Sequence, residues 1–555
     1  MYEMDYRAAW DRWRRKADTA TRQELETLSE AQREERFYCG LAFGTGGIRG
    51  ETGVGSNRVN RYTIRQAAAG TARWLQSTLP AEELKKGVLI AFDTRTDSAA
   101  FALEAAMSIC SFAIPAYLFD DPAPVPLLSF TLKREDYLCG IAITASHNPS
   151  NHNGFKLYNR QGGQLVPTEA AKIALYIKNT DPFAIAPHSE SKIKQLLHFT
   201  GKAENAAYLS AITRLKVKDS PLTVVATPLH GAAKRLLPAA LKGTGHHVLS
   251  VPAQEICDGT FATVTTPNPE DPAVFAWAEK VGYENHADLL FATDPDGDRC
   301  GVAVKDHHGY TPLSGNEVGA LLIDYLLRRD AGHLPADAYI VKTVVSGDLG
   351  VKVAAHHNVA TRITPTGFKY IGEALLKKEN GTFLAGYEES GGFLAGSHAA
   401  DKDGIFTAVL LAEAAAFYKK RNMTLLNAVN ALYAVYGYEK SETETFLFPG
   451  KDGAQRKAAC LRFFEEQEQN QTGADRREKV AGDTLLFYFG EGIRTALRPS
   501  GTEPKLKLYF TVSGDDEKDA DAKLARIKDR FLPLIAAFLP KNSNVPYSAN
   551  NGVER

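Results

Sequence analysis

Leu138-Cys139-Gly140-Ile141-Ala142-Ile143-Thr144-Ala145-Ser146-His147-Asn148-Pro149 runs from an uninterrupted apolar stretch straight into a serine, a histidine and an Asn-Pro turn. A short apolar run bounded by turn chemistry reads as a buried strand, and a hydroxyl at the end of such a strand stands where α/β proteins mount their chemistry. Serine and Asn-Pro also build ordinary turns, so the reading rests on the surrounding segments.

Outward from this stretch, short apolar runs alternate with longer helical ones at Val88 to Phe92, Thr223 to Ala226, Leu289 to Ala292, Tyr339 to Val345 and Thr382 to Ala385. This alternation predicts α/β domains. Several runs end in polar loops, at Asp93-Thr94-Arg95, Asp294-Pro295-Asp296 and Tyr387-Glu388-Glu389, where open α/β sheets bind ligands. In the last quarter, Asp483 to Phe489 and Lys505 to Val512 read as strands, and Leu524, Ile527 and Phe531 share one helix face. These predict a smaller α+β domain. Tyr6, Trp10 and Trp13 among charges predict an amphipathic helix docked on a neighbouring domain. Glu465 to Lys479 reads as a helix end and linker, and the polar tail Ser543 to Arg555 as disordered. No solenoid-type repeat is found.

The chain of 555 residues has room for roughly three to four domains. Its 65 Lys and Arg balance 66 Asp and Glu, so no global field would hold it on nucleic acid or an anionic membrane, and any anion site must be local. Six cysteines, Cys39, Cys110, Cys139, Cys257, Cys300 and Cys460, lack a CxxC spacing and fit a reducing cytoplasm. No basic leader or membrane-length apolar stretch is seen, so neither export nor insertion is expected.

Asp294-Pro295-Asp296-Gly297-Asp298-Arg299 places alternating carboxylates on a tight loop, where they can converge on one hard cation such as magnesium. An EF-hand is excluded, because Arg299 stands at the sixth loop position and Lys305 at the twelfth. Gly386-Tyr387-Glu388-Glu389-Ser390-Gly391-Gly392 combines carboxylates and a hydroxyl suited to gripping adjacent sugar hydroxyls. Arg498-Pro499-Ser500-Gly501-Thr502-Glu503-Pro504 offers a guanidinium, two hydroxyls and an opened backbone, a cradle for phosphate.

Together these loops resemble, in family order, those of the α-D-phosphohexomutases, from about residue 40 to about residue 510. The resemblance implies a heart-shaped α/β molecule, with three related α/β domains and a smaller C-terminal α+β domain around a central cleft. The expected domains are 1–210, 211–325, 326–445 and 446–555. It further implies that Ser146 carries a phosphoryl group and that Asp294, Asp296, Asp298 and Ser146 hold Mg2+. Arg299, Glu388 and Ser390 would contact the sugar phosphate, and Arg498, Ser500, Gly501 and Thr502 would grip the phosphate that is not reacting. Phe43 to Gly50 resembles the N-terminal active-site loop and brings Arg49, although Gly46 replaces the usual serine. Asn153 to Lys156 brings Lys156, and Thr366-Gly367-Phe368-Lys369 brings Thr366, Gly367 and Lys369. His398 and Lys402 resemble the His and Lys of phosphoglucomutases. With His147 and Lys156 they are candidates for proton transfer or charge stabilisation. Gly392-Phe393 stands where some bacterial relatives have a histidine.

The Tyr387 loop and the Thr366 segment resemble the phosphoglucomutase-2-like branch. The expected reaction interconverts α-D-glucose 1-phosphate and glucose 6-phosphate through glucose 1,6-bisphosphate. Mannose phosphates, pentose phosphates and bisphosphate synthesis are the alternatives within the superfamily. A metal-dependent phosphatase and an inactive sugar-phosphate binder are those outside its activity. A cytoplasmic monomer or homodimer, with neither nucleic acid nor membrane as partner, completes the expectation.

Overall fold

The computed structural model of the chain describes residues 5–539 apart from 45, 186–189, 215–219, 378–380, 467–471, 481–483, 491 and 501–504. Gly501, Thr502 and the tail from Ser543 therefore lie outside the described residues. Among the described residues the strands form four sheets, taken in turn along the chain.

The first sheet contains β1 (Ile48–Glu51), β2 (Val88–Phe92), β3 (Ala116–Phe119), β4 (Cys139–Ile143), β5 (His152–Asn159) and β6 (Leu197–Thr200), in the order β1-β5-β4-β2-β3-β6. Its centre is parallel, and every residue of β2 and β4 is buried. Helices on both faces explain why these strands read as continuous apolar runs. The second sheet contains β7 (Thr223–Thr227), β8 (His247–Ser250), β9 (Leu289–Thr293), β10 (Cys300–Lys305) and β11 (Tyr310–Leu313), in the order β11-β10-β9-β7-β8. The third contains β12 (Ala338–Thr343), β13 (Ala360–Thr364), β14 (Thr382–Tyr387) and β15 (Phe393–Ala395), in the order β13-β12-β14-β15.

The fourth sheet is wholly antiparallel. It contains β16 (Tyr438–Leu447), β17 (Arg476–Val480), β18 (Thr484–Phe489), β19 (Ile493–Pro499) and β20 (Lys505–Gly514), in the order β16-β20-β19-β18-β17. Helix Glu517–Ala536 packs on it through Leu524, Ile527 and Phe531, all buried, as the sequence predicts. The Glu465 to Lys479 segment differs from expectation, because Arg476–Val480 is an edge strand rather than linker. Its charged, solvent-facing side chains hide the strand from any hydrophobic pattern, as suits an edge that must not recruit another chain.

The expected breaks at 210/211, 325/326 and 445/446 fall inside helix Lys202–Ile212, helix Gly315–Arg329 and β16. Helix Gly315–Arg329 belongs with the third sheet, since a Cβ on Gly319 would come within 2.5 Å of the Tyr387 ring. One apolar core runs from Leu128 and Tyr208 through Leu237 and Phe291 to Leu322 and Leu411, joining the first three units. The fourth has its own core around Phe464, Phe487 and Phe531. It meets the third through Val345 against Leu486 and Tyr509, and through an Arg494–Asp348 ion pair of 3.1 Å.

Helix Tyr6–Lys16 is capped by Asp5 and buries Trp13 edge-on against Phe37, Tyr62 and Phe183, at 5.7, 5.0 and 5.5 Å. It is thereby docked on the first α/β unit, as expected. All six cysteines are free thiols, five of them buried. Among the described residues no helix is long and apolar enough to cross a membrane.

Candidate active site

The loops at the carboxyl ends of β2, β4 and β9 converge, which is where open α/β sheets leave backbone groups and side chains free for ligands. After β4 the chain turns sharply at Ser146, whose φ of 53° lies in the left-handed region. The Ser146 N–H donates to Thr144 Oγ1 at 2.8 Å, and the Ser146 hydroxyl donates to Asp294 Oδ2 at 2.8 Å. Thr144 in turn donates to Asp296 Oδ2 at 3.2 Å. The serine turn of the first unit is thus bonded to the acidic loop of the second.

Asp294, Asp296 and Asp298 are buried, with one carboxylate oxygen from each within 4.8 Å of the others. Lys156 on β5 reaches Asp296 at 2.7 Å and Asp298 at 3.6 Å, and Lys402 reaches Asp298 at 2.7 Å. Three carboxylates face two ammonium groups, and Asp296 Oδ1 and Asp298 Oδ1 are buried without a hydrogen-bond partner. Orphaned buried oxygens of this kind fit a hard cation. The titration directions agree. Burial, then Asp296 and Asp298, push the Asp294 carboxyl well above its ordinary range, against the pull of Arg299. Burial works the same way on Asp296, but Lys156 and Lys402 outweigh it and hold that group below the carboxylate range.

Cationic groups act on the histidine beside the serine. His147 Nδ1 lies 3.4 Å from Ser146 Oγ, and burial together with Arg299, Arg49, Lys507 and Lys505 keeps the imidazole neutral well below its usual pKa. Arg49, on β1, donates to Asn148 Oδ1 at 3.4 Å. The Arg299 side chain pairs with Glu270 at 2.5 Å, while its Nε is buried without a partner and its backbone N–H donates to Asp294 Oδ1 at 3.1 Å.

The loop after β14 places Glu388 in a buried position, where it accepts the Gly367 N–H at 3.1 Å. Gly367 has φ of 119°, open to glycine and strained for other residues. Burial and the neighbouring Glu389 push the Glu388 carboxyl up to about 7, against the pull of Lys402, Arg299 and Arg498. Ser390 is half-buried in the same turn, and the Thr366 hydroxyl is buried without a partner. Burial, then the nearby Arg498 charge, lower the Lys369 ammonium to about 8. Arg498 is opposed by burial but kept charged by Tyr509, Glu389 and Glu388. The Ser500 N–H donates to the Lys505 carbonyl at 2.9 Å, and Gly501 and Thr502 lie outside the described residues.

Gly392 has a steric reason. A Cβ there would meet Lys402 Cδ at 2.7 Å, so the lysine fills the space that a side chain would need. His398 stands apart from this cluster. Its Nε2 is 2.8 Å from Asp403 Oδ2, Asp403 also accepts the Tyr208 hydroxyl at 2.8 Å, and the ring lines a groove with Lys133 and Arg134. Thr144 and Arg95 were not legible as site residues. Only the position of Asp93-Thr94-Arg95 at a strand end hinted at the second.

Four family descriptions match in chain order. They are phosphoglucomutase/phosphomannomutase alpha/beta/alpha domain I over residues 40–183, domain II over 206–309, domain III over 314–436 and the C-terminal domain over 456–532. The chain belongs to the phosphoglucomutase/phosphomannomutase family. Members of this family are isomerases. A protein named phosphoglucomutase from Staphylococcus haemolyticus is 32% identical over 91% of this chain and 96% of its own. One from Staphylococcus aureus strain MRSA252 is 31% identical over 92% and 97%. Among solved structures, a phosphoglucomutase/phosphomannomutase family protein of Burkholderia thailandensis superposes with a TM-score of 0.68 at 20% identity, covering 90% of this chain and 97% of that one. The Paramecium phosphoglucomutase parafusin gives 0.64 at 17% identity, over 91% and 96%. These two likenesses bear out the four-domain fold of the family.

Proposed function

We propose that the protein interconverts α-D-glucose 1-phosphate and glucose 6-phosphate, with Ser146 as phosphoryl carrier and glucose 1,6-bisphosphate as intermediate and activator. The observation that carries this reading is the Ser146 hydroxyl donating to Asp294 Oδ2 at 2.8 Å beside a buried triad of aspartates that Lys156 and Lys402 each reach at 2.7 Å. A hydroxyl so placed can carry a phosphoryl group, and the buried Glu388 carboxylate can accept sugar hydroxyls. The curated relatives named phosphoglucomutase, matched over nearly their whole length, support glucose as the sugar.

In the forward direction a sugar hydroxyl oxygen forms a bond to the phosphorus on Ser146 as the Oγ–P bond breaks. Serine Oγ is the leaving group and takes up the proton that the sugar hydroxyl gives up, with His147 as the relay, and the bisphosphate is left bound. Reorientation of the bisphosphate brings its other phosphate to Ser146 Oγ, which takes that phosphoryl group back. Phosphoryl transfer depends chiefly on positioning and charge stabilisation. Lys156 and Lys402 hold the acidic loop, Arg49 and Arg299 face the transferring group, and neutral His147 is placed to hold a proton at Ser146 Oγ. Asp294, Asp296, Asp298 and a Ser146 oxygen would hold Mg2+, which supplies neutralisation of charge on the transferring phosphoryl group. Arg498, Lys369, Ser500, Gly501 and Thr502 grip the distant phosphate. Glu388 and Ser390, with Thr366 and Gly367 alongside, orient the ring.

The test is phosphorus NMR of initial rates on the 1-phosphates of glucose, mannose, ribose and N-acetylglucosamine, each with a trace of its bisphosphate. Glucose should have the highest kcat/KM. A mutase gives the 6-phosphate from the hexoses and the 5-phosphate from ribose, and Arg498→Ala should raise KM and slow turnover in both directions, because distant binding energy positions the reacting phosphate. Inorganic phosphate as the main product, or a higher kcat/KM for another sugar, would overturn the assignment.

A further inference from the structure

Arg95 follows β2 in the Asp93-Thr94-Arg95 segment, and its side chain is 1% exposed. Its Nη2 donates to the carbonyls of Ser146 at 2.7 Å and Asn148 at 2.6 Å, and its Nη1 to those of Pro149 at 2.6 Å and His152 at 2.9 Å. Its Nε pairs with Asp93 at 3.1 Å, and Asp93 is fixed by the Ser98 hydroxyl at 2.5 Å. All five guanidinium donors are thereby occupied within the protein. Arg95 has none left for a phosphate, so any influence on the reaction passes through the Ser146 turn. That turn needs holding, since a serine in the left-handed region persists only where its surroundings over-determine it.

The guanidinium is covered from the second domain. The buried Phe261 ring lies 5.0 Å from Arg95 Cζ, and Gly259 passes so close that a Cβ would meet the Thr96 nitrogen at 2.2 Å. The loop carrying both residues is pinned by His230, whose Nδ1 lies 2.9 Å from the Ile256 carbonyl and Nε2 2.8 Å from Thr263 Oγ1. An acceptor at Nδ1 assigns the proton to that nitrogen and leaves Nε2 to accept from threonine. His230 adjoins Gly231, which packs on Pro295 of the acidic loop, and the Ala232 N–H donates to the Pro295 carbonyl at 2.8 Å. A second path thus joins the acidic loop to the serine turn, behind the direct Ser146–Asp294 bond.

We propose that Arg95 is a positioning residue for phosphoryl transfer and that Phe261, on the 255–263 loop, is the support that holds it against the Ser146 turn. This rests on Ser146 being the phosphoryl carrier. The support orients Ser146 Oγ and touches neither the sugar nor the distant phosphate, so its loss belongs in kcat and not in KM. Lysine cannot replace Arg95, because one ammonium cannot reach four carbonyls and Asp93 together.

The experiment is steady-state kinetics of glucose 1-phosphate turnover by Arg95→Lys, Phe261→Ala and Phe261→Leu. It is accompanied by thermal unfolding and by intact-mass measurement of Ser146 phosphorylation. The expected kcat losses are about a hundredfold for Arg95→Lys and about tenfold for Phe261→Ala, with KM within about threefold of the parent. Phe261→Leu, which refills most of the space, should regain most of the loss. Should Arg95→Lys fail to fold, the two Phe261 variants decide. Parental kcat in folded Phe261→Ala, a loss carried by KM, or a loss proportional only to the unfolded fraction would overturn the proposal. A parent without phosphoserine would sink the Ser146 reading instead.

Discussion

Lys402 Nζ lies 2.7 Å from Asp298 Oδ2, so a lysine that follows β15 in the third unit closes on the acidic loop of the second. Both groups are buried, and Asp298, with Asp401, holds the ammonium charged above its ordinary range despite that burial. Gly392 leaves the path open. His398, four residues earlier, is engaged by Asp403 instead.

This contrast yields a paired prediction. Lys402→Met should lower kcat by about a hundredfold to a thousandfold, the scale of losing one preorganised charge at a transferring phosphoryl group. His398→Gln should cost less than about tenfold, because it acts only through Asp403. Saturation kinetics on both variants make the comparison, and equal losses would return His398 to the reacting centre.

The acidic triad predicts a metal requirement distributed over three ligands. Asp294→Asn, Asp296→Asn and Asp298→Asn should each raise the magnesium concentration for half-maximal rate by about tenfold or more, since each removes one anionic ligand. Calorimetric titration with magnesium alone provides the binding readout. Parental titrations in all three variants would remove the metal from this loop.

Two shifted groups set a pH profile. Glu388 is raised to about 7 by burial and Glu389, so below that value it is protonated and loses its charge and part of its capacity to accept sugar hydroxyls. Lys369 is lowered to about 8 by burial and Arg498, so it loses its charge above that value. The competent free enzyme carries ionised Glu388 and protonated Lys369. A plot of kcat/KM should therefore rise through about 7 and fall through about 8. Lys369→Arg should move the alkaline limb upward, because a guanidinium stays charged. A parental profile flat across both values, or an alkaline limb unmoved in Lys369→Arg, would contradict the assignment.

Much of this was legible in the sequence because the deciding loops are contiguous. Asp294, Asp296 and Asp298 alternate on a tight turn, so local spacing predicted their convergence, while the meeting of Ser146 with that loop was implied only by the family resemblance. Arg95 was not legible, since its partners are backbone carbonyls of residues 146–152, and a carbonyl leaves no mark on composition. The edge strand Arg476–Val480 was missed for a related reason, as its charged side chains face water and carry no apolar alternation. His398 and Lys402 look equivalent in sequence, yet the helix that begins at Gly404 directs one toward Asp298 and caps itself with the aspartate that holds the other.

The most direct measurement is the intact mass of active enzyme beside that of Ser146→Ala, with peptide mapping and kcat on the same samples. One phosphoryl group is expected on the parent, located at Ser146, with none on the variant and a kcat loss of at least about a thousandfold in a protein that still folds. Substantial turnover by well-purified Ser146→Ala, or a phosphoryl group mapped to another residue of the active parent, would contradict it.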